Sequence, residues 1–273
     1  MNPIAFSMVL KDDAEAARWL ERIKSAGFDG VEPTFAPEGT LPTVAAPRPS
    51  AEKLRKLADA AGLKIPSMRG GPLFWPTFGS PDASQRDRAV EVARQAMEAL
   101  SIMGGDTLLI VPGRWDGDQT YGQLWNYALD TARRVGDIAE EATIRVGLEN
   151  VENRFLLSPR EWQQFMDAVG NERVGMYLDV GNVVHCGLGF TEQWLKEIGA
   201  QRIKRIHFKD AKSDGTLTYL LEGDVNWPAV TAAMRAIGYT DWVGIELALP
   251  AHHPQAMLDG TVRAARAILC GSV

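Results

Sequence analysis

IRVGLENV (residues 144–151), VGMYLDV (174–180) and IKRIHFKD (203–210) are three short apolar runs. Each carries, near its C-terminal end, a side chain able to bind a divalent metal: Glu149, Asp179 and His207. A fourth run, WVGIEL (242–247), carries Glu246 in the corresponding place. Runs of this length between helical segments read as parallel strands buried on both faces. The polar residue near each end then emerges at one rim of a sheet, so the four side chains can converge.

Upstream, Ile4–Val9 reads as a first strand, followed by a helix over Asp12–Ala26 with an apolar stripe of Ala16, Trp19, Leu20 and Ile23, stopped by Gly27. Gly30–Phe35 is the second strand. After the Pro-rich loop 36–49, Ser50 is the expected N-cap of a helix carrying Leu54, Leu57, Ala58 and Ala61. Lys64–Arg69 is the third strand, and the loop 70–80, rich in Gly, Pro and aromatics, is long enough to cover a site. Pro81 is expected to open the next helix; Thr107–Val111 follows as the fourth strand and Tyr121–Ala142 as a further helix. Ser158-Pro159-Arg160-Glu161 predicts a helix start with a capping box. Thr191 is expected to cap a helix through Ile198, Asn226 one over Trp227–Ile237, and Pro254–Leu269 forms the last helix.

Eight alternating β and α units in 273 residues fit a closed (β/α)₈ TIM barrel, a single domain over residues 1–273. A doubly wound sheet would be expected to carry a glycine fingerprint after an early strand, where this chain has Leu10-Lys11-Asp12-Asp13. The net charge of −6 argues against broad binding to nucleic acid or to an anionic membrane. Cys186 and Cys270 lie far apart without metal-type spacing, and the N-terminus lacks the pattern of a signal peptide, so a reduced, cytoplasmic protein is expected.

Three carboxylates and an imidazole at one rim form an oxygen-rich site suited to Mn²⁺, Mg²⁺, Co²⁺ or Zn²⁺. Without a cation the carboxylates would repel one another, which is the physical reason to expect one. Taken singly, each residue could equally be a helix cap or an ion-pair partner; the repetition on four strands is what argues for a site. Most helix-stripe Met and Ala residues read as core, and of the tryptophans only Trp75 and Trp115 fall in rim loops.

In GLENVENRFLLSP (147–159), YLDVGN (177–182), RIHFKD (205–210), LLEGDVNWPAV (220–230) and GYTDWVGIEL (238–247) the chain resembles the sugar phosphate isomerase/epimerase superfamily, whose members are similar to xylose isomerase and the ketose 3-epimerases. The resemblance implies one divalent metal, Mn²⁺ first among the candidates, held by Glu149, Asp179, His207 and Glu246. It also implies that Glu149 and Glu246 act as the acid/base pair, and that the protein is a homo-oligomer. The chemistry is coherent by itself: a ketose chelating the metal through its carbonyl and a neighbouring hydroxyl has an acidified C–H, and the metal stabilises the enediolate. One Glu takes the proton; the other returns one on the opposite face and inverts that carbon, whereas same-face return to the adjacent carbon gives aldose–ketose isomerisation. The expected partner is therefore a small sugar or sugar phosphate, with no nucleic acid and no membrane.

Two departures bear on substrate recognition. Ketose 3-epimerases place a His three residues after the metal Asp; here that residue is Asn182, and the nearby histidine is His185. They carry a Glu after Asn-Arg-Phe, where Leu156 follows Asn153-Arg154-Phe155. Candidate substrate-binding residues are Asn182, His185, Arg154, Lys209 and Glu222, with Arg154, Lys209 and Lys212 able to hold a phosphate. The alternatives stay open: His185 as an orderer of its Gly-rich loop, the basic residues as solvated charge, Glu222 and Glu32 as braces. A metal-dependent keto-polyol (inosose-type) dehydratase shares the proton-abstraction step and is the nearest rival. An AP endonuclease needs more zinc ligands than four histidines and Asn182 suggest, and a non-catalytic sugar-binding barrel has no need of both Glu149 and Glu246.

Overall fold

All eight apolar runs form strand in the computed structural model, which describes residues 1–273. The order is β1 (Ile4–Met8), α1 (Asp13–Ala26), β2 (Gly30–Pro33), α2 (Pro47–Ala61), β3 (Ser67–Arg69), α3 (Gly71–Phe74), α4 (Ala83–Met103), β4 (Thr107–Ile110), α5 (Tyr121–Ala142) and β5 (Arg145–Glu149). It continues with α6 (Pro159–Val169), β6 (Val174–Asp179), α7 (Val180–His185), α8 (Thr191–Ile198), β7 (Ile203–Phe208), β8 (Asp210–Ala211), β9 (Leu217–Thr218), α9 (Trp227–Ala236), β10 (Val243–Ile245) and α10 (Pro254–Cys270). The parallel strands lie in the order β2-β1-β10-β7-β6-β5-β4-β3. Isolated parallel bridges, Gly30 to Lys64 and Thr34 to Arg69, join the two ends of that order into a barrel. β8 and β9 form a separate antiparallel hairpin at the rim. Strand residues are almost all buried, as expected where helices cover the outside and side chains fill the inside. No helix is long and apolar enough to cross a membrane.

Four local expectations are corrected, each by a competing bond. α2 begins at Pro47, whose fixed φ suits a first helical position; Ser50 thus lies inside the first turn, where its Oγ donates to Ala46 O at 2.5 Å. α4 begins after Asp82, not at Pro81, because the Asp82 carboxylate accepts from Ser84 N at 2.8 Å. Thr191 does not cap α8: its hydroxyl donates to Val180 O at 3.0 Å, and Phe190 holds the cap position without a side-chain bond. Ser158 does cap α6, but Glu161 accepts from Leu157 N at 2.6 Å and Tyr121 OH at 3.0 Å rather than closing a box. The complete capping box belongs to Thr120 and Gln123 at the start of α5.

The end of the barrel away from the metal-type residues is tied by charge. Arg205 on β7 is buried and donates to Asp106 and Asp241 at 2.6 Å each, and Arg145 reaches the same two carboxylates at 2.7 and 2.6 Å. Burial raises the Asp241 pKa, but Arg205 and Arg145 outweigh it and hold the carboxyl below its ordinary value. A depressed folded pKa contributes stability above the unfolded value that disappears as pH falls through the folded one. Arg205→Leu is therefore expected to cost about 3 kcal/mol at neutral pH, the low end for a broken buried pair because water reaches Asp106. The difference from the parent should narrow once pH falls below the usual carboxylate range; urea unfolding at a series of pH values measures both.

Candidate metal centre and active site

Glu149 ends β5, Asp179 ends β6, His207 lies in β7 and Glu246 follows β10, so the four leave adjacent strands at one rim. Register brings them together: Asp179 pairs with His207, and His207 with Gly244, two residues before Glu246. One ligand atom from each of the four lies within 4.8 Å of the others. His207 Nδ1 is 3.3 Å from Glu149 Oε1 and 3.9 Å from both Asp179 Oδ2 and Glu246 Oε2. Asp179 Oδ1 caps α7 by accepting from Asn182 N at 2.8 Å, while Oδ2 is buried with no hydrogen bond. A buried carboxylate oxygen without a donor is costly. Three carboxylates and a ring nitrogen converging on that oxygen fit a divalent cation.

Behind the ring lies Glu32, fully buried on β2. Its Oε1 accepts from Tyr177 OH and Ser67 Oγ at 2.6 Å, and its Oε2 from Ser7 Oγ and His207 Nε2 at 2.7 Å. Burial pushes Glu32 up, but His207 and the hydroxyl donors outweigh it and hold it well below the usual carboxylate range. Burial and the facing Glu32 push the Tyr177 phenol well up, so it remains a neutral donor. For His207 burial lowers the pKa, yet Glu32 and Glu149 raise it to about 9. A cation at Nδ1 would displace that proton and leave Nε2–H donating to Glu32, the arrangement usual for metal-binding histidines.

Gly244 makes room for the ring: a Cβ there would lie 2.5 Å from His207 Cδ2 and 2.9 Å from Nε2. Gly244→Ala is expected to displace the imidazole and weaken divalent-metal binding by at least about tenfold, the scale of other orienting contacts. Calorimetric titration with Mn²⁺ measures it.

Two cations enter the cluster. Lys209 Nζ is 2.6 Å from Glu246 Oε2 and 3.2 Å from Asp179 Oδ2, an ion-pair contact without hydrogen-bond geometry to the latter. Arg69, at the end of β3, pairs with Glu246 and donates to Thr34 Oγ1 at 2.9 Å. Together they neutralise part of the carboxylate charge. A cavity of about 600 Å³ opens over the cluster, with Glu149, Glu246, Asn182, Lys209, Arg69 and Trp75 in its wall. The loop expected to cover a site does so through Gly71, Pro72, Trp75 and Pro76. Glu222 faces an adjoining cavity that shares Lys209 and Glu246.

The remaining candidates stand elsewhere. Arg154 is exposed, at a φ of 61°, and lines neither cavity. His185 is half-buried, its Nδ1 is 2.7 Å from Gly215 O, and it too is outside both walls. Lys212 is exposed. Trp115 packs edge-on against Tyr121. Sequence reading missed Arg69, Tyr177, Ser7 and Ser67. Arg69 carried a usable signal, a charge at a strand's C-terminal end like the four ligand candidates; the two serines and the tyrosine carried none.

A family model described as a xylose isomerase-like TIM barrel matches residues 20–267. The Escherichia coli (strain K12) protein named "Putative L-ribulose-5-phosphate 3-epimerase SgbU" is 27% identical over 206 residues, 73% of this chain and 70% of its own. A solved L-ribulose 3-epimerase superposes with a TM-score of 0.80 at 20% identity, over 98% of this chain and 95% of its own. The IOLI protein with a bound zinc atom superposes with a TM-score of 0.79 at 18% identity, over 98% of each chain. At these identities the two structures bear on the fold alone.

Proposed function

The chain belongs to the xylose isomerase-like TIM barrel family, and on that premise we propose that it is a divalent-metal-dependent epimerase or isomerase of a ketose or ketose phosphate. The observation that carries this reading is the placing of Glu149 and Glu246. They leave β5 and β10, with β6 and β7 between them in the barrel, and both line one cavity. Two carboxylates approaching from either side of a bound sugar can take a proton from one face of a carbon and return one to the other.

Glu149, Asp179, His207 and Glu246 would hold the metal, Mn²⁺ first and Mg²⁺, Co²⁺ or Zn²⁺ as alternatives. When bound, it supplies Lewis-acid polarisation of the sugar's carbonyl and neighbouring hydroxyl oxygens. One of Glu149 and Glu246 then removes the C–H proton beside the carbonyl, and the other delivers a proton to the enediolate. Asn182 and Lys209 in the cavity wall, with Glu222 beside it, orient the sugar hydroxyls. The Lys209 ammonium, in the wall of both cavities, is the group a substrate phosphate would meet; Arg154, which lines neither, would have to swing in to reach it.

Proton NMR of the metal-loaded protein in D₂O with a panel of ketoses and ketose phosphates tests this reading. Metal-dependent loss of a C–H signal with appearance of an epimer or aldose supports it, and the product identifies the reaction. Loss of water to an unsaturated or diketo product would assign the keto-polyol dehydratase instead. Metal binding with no exchange on any panel member would overturn the ketose reading.

A further inference from the structure

Beside the main cluster stands a second group of donors of different chemistry. Glu152, in the loop after β5, and His185 and Cys186, at the C-terminal end of α7, each offer a ligand atom within 4.8 Å of the others. Cys186 is half-buried and unpaired, and Glu152 is exposed. The Gly215 carbonyl, 2.7 Å from His185 Nδ1, can only accept, so Nδ1–H donates to it and the lone pair of the neutral ring lies on Nε2. A backbone carbonyl holding the far ring nitrogen is how metal-binding imidazoles are commonly oriented.

We propose that Glu152, His185 and Cys186 form a second metal site, selective for a thiophilic divalent ion such as Zn²⁺, with the fourth position open to water or an exogenous ligand. A thiolate, an imidazole and one carboxylate suit Zn²⁺ or Co²⁺ and disfavour Mn²⁺ and Mg²⁺, whereas the three-carboxylate cluster accepts the harder ions. The two sites would therefore sort metals by softness. Ligand atoms around tetrahedral Zn²⁺ are roughly 3.3–3.8 Å apart, given its bond lengths, so a group already within 4.8 Å has to close by at most about 1.5 Å. The exposed Glu152 side chain is free to make that movement. A nucleophilic role for the cysteine fits less well, because burial, with Glu152 and Asp179 nearby, pushes the thiol up to about 11.

An ion there would clasp three rim segments: the loop after β5, the end of α7 and, through His185 and Gly215, the turn between β8 and β9. That hairpin presents Leu217 and Thr218 to the cavity shared with Glu222. α7 itself starts on the Asp179 cap. Occupancy would thus stiffen one wall of the substrate cavity, whatever the substrate is.

The test is a Co²⁺ titration of the chelator-stripped, reduced full chain in a Cys270→Ser background, which leaves Cys186 as the only thiol. A sulfur-to-cobalt charge-transfer band in the near ultraviolet reports thiolate ligation and is silent for the carboxylate cluster. The expected result is a saturable band, bleached by Zn²⁺ but not by Mn²⁺, with two cobalt ions bound per chain. Cys186→Ser should abolish the band and leave one ion, and Glu152→Ala should weaken the band-forming site by about tenfold or more. Absence of the band while the thiol is confirmed reduced, or a band unaffected by Glu152→Ala, would overturn the proposal. Failure of the sugar reading would leave this spectrum unchanged, so the two ideas are tested separately.

Discussion

Glu149→Gln and Glu246→Gln are each expected to lower conversion of the sugar by about 10²–10⁴-fold, the usual worth of a positioned general acid or base. The two variants should differ in what they retain. Glutamine keeps the size and one oxygen donor of glutamate but cannot accept the proton, and the carboxylate left in place can still serve its own face of the sugar. Each variant should then catalyse deuterium wash-in from D₂O at the reacting carbon of one epimer without turning it into the other, and the two should prefer opposite epimers. A one-base isomerase, returning the proton on the same face to the adjacent carbon, would show no such complementarity: one variant would lose exchange with every sugar and the other would keep it. Because both residues are also proposed ligands, metal content must be measured beside the rates, and an exchange rate that merely follows metal loss would assign them to binding alone. Asp179→Asn supplies the comparison, since it alters a ligand without removing either face's carboxylate.

The four cluster residues were legible in the sequence because each rides at the end of a short apolar strand, and a parallel barrel brings all such ends to one rim. What surrounds them was not legible to the same degree, for a reason of distance. Glu32 meets His207 across 175 positions of sequence, and Arg69 meets Glu246 across 177; contacts between non-adjacent strands leave no local pattern. Near Asp179 the difficulty was the opposite, too many roles for one side chain. The same carboxylate ends a strand, caps α7 and offers its second oxygen to the cluster, so His185 reads as part of a Gly-rich loop although it ends a helix. That short helix carries His185 away from the cavity, while Asn182, capped in its first turn, stays in the wall. The helix starts went wrong for a smaller reason: Ser50 and Thr191 are hydroxyls that found a nearby carbonyl, and a donor so engaged no longer marks a helix boundary.

Glu32 governs the second large effect. Its two oxygens each accept two hydrogen bonds, and the carboxylate itself is fully buried. Glu32→Ala would leave Ser7, Ser67, Tyr177 and His207 around a void, and is expected to cost about 3–5 kcal/mol, the scale of a broken buried charge pair. Glu32→Gln keeps the volume but turns one acceptor into an NH₂ donor. Facing Ser67 and Tyr177, the amide can be met by rotating hydroxyls. Facing His207, it requires Nε2 to accept, which moves the ring proton to Nδ1, the nitrogen aimed at the carboxylate cluster. Either way the ionised partner that fixes the tautomer is gone, so metal affinity should fall about 10–100-fold while stability falls by only about 1–3 kcal/mol. Ser7→Ala separates the two effects: it removes one donor to Glu32 without touching the imidazole, and should cost about 1 kcal/mol with metal affinity nearly unchanged. Urea unfolding in chelator and calorimetric Mn²⁺ titration of the three variants measure both quantities. Equal loss of metal binding in Ser7→Ala and Glu32→Gln would show that Glu32 acts through general packing, and not through the tautomer of His207.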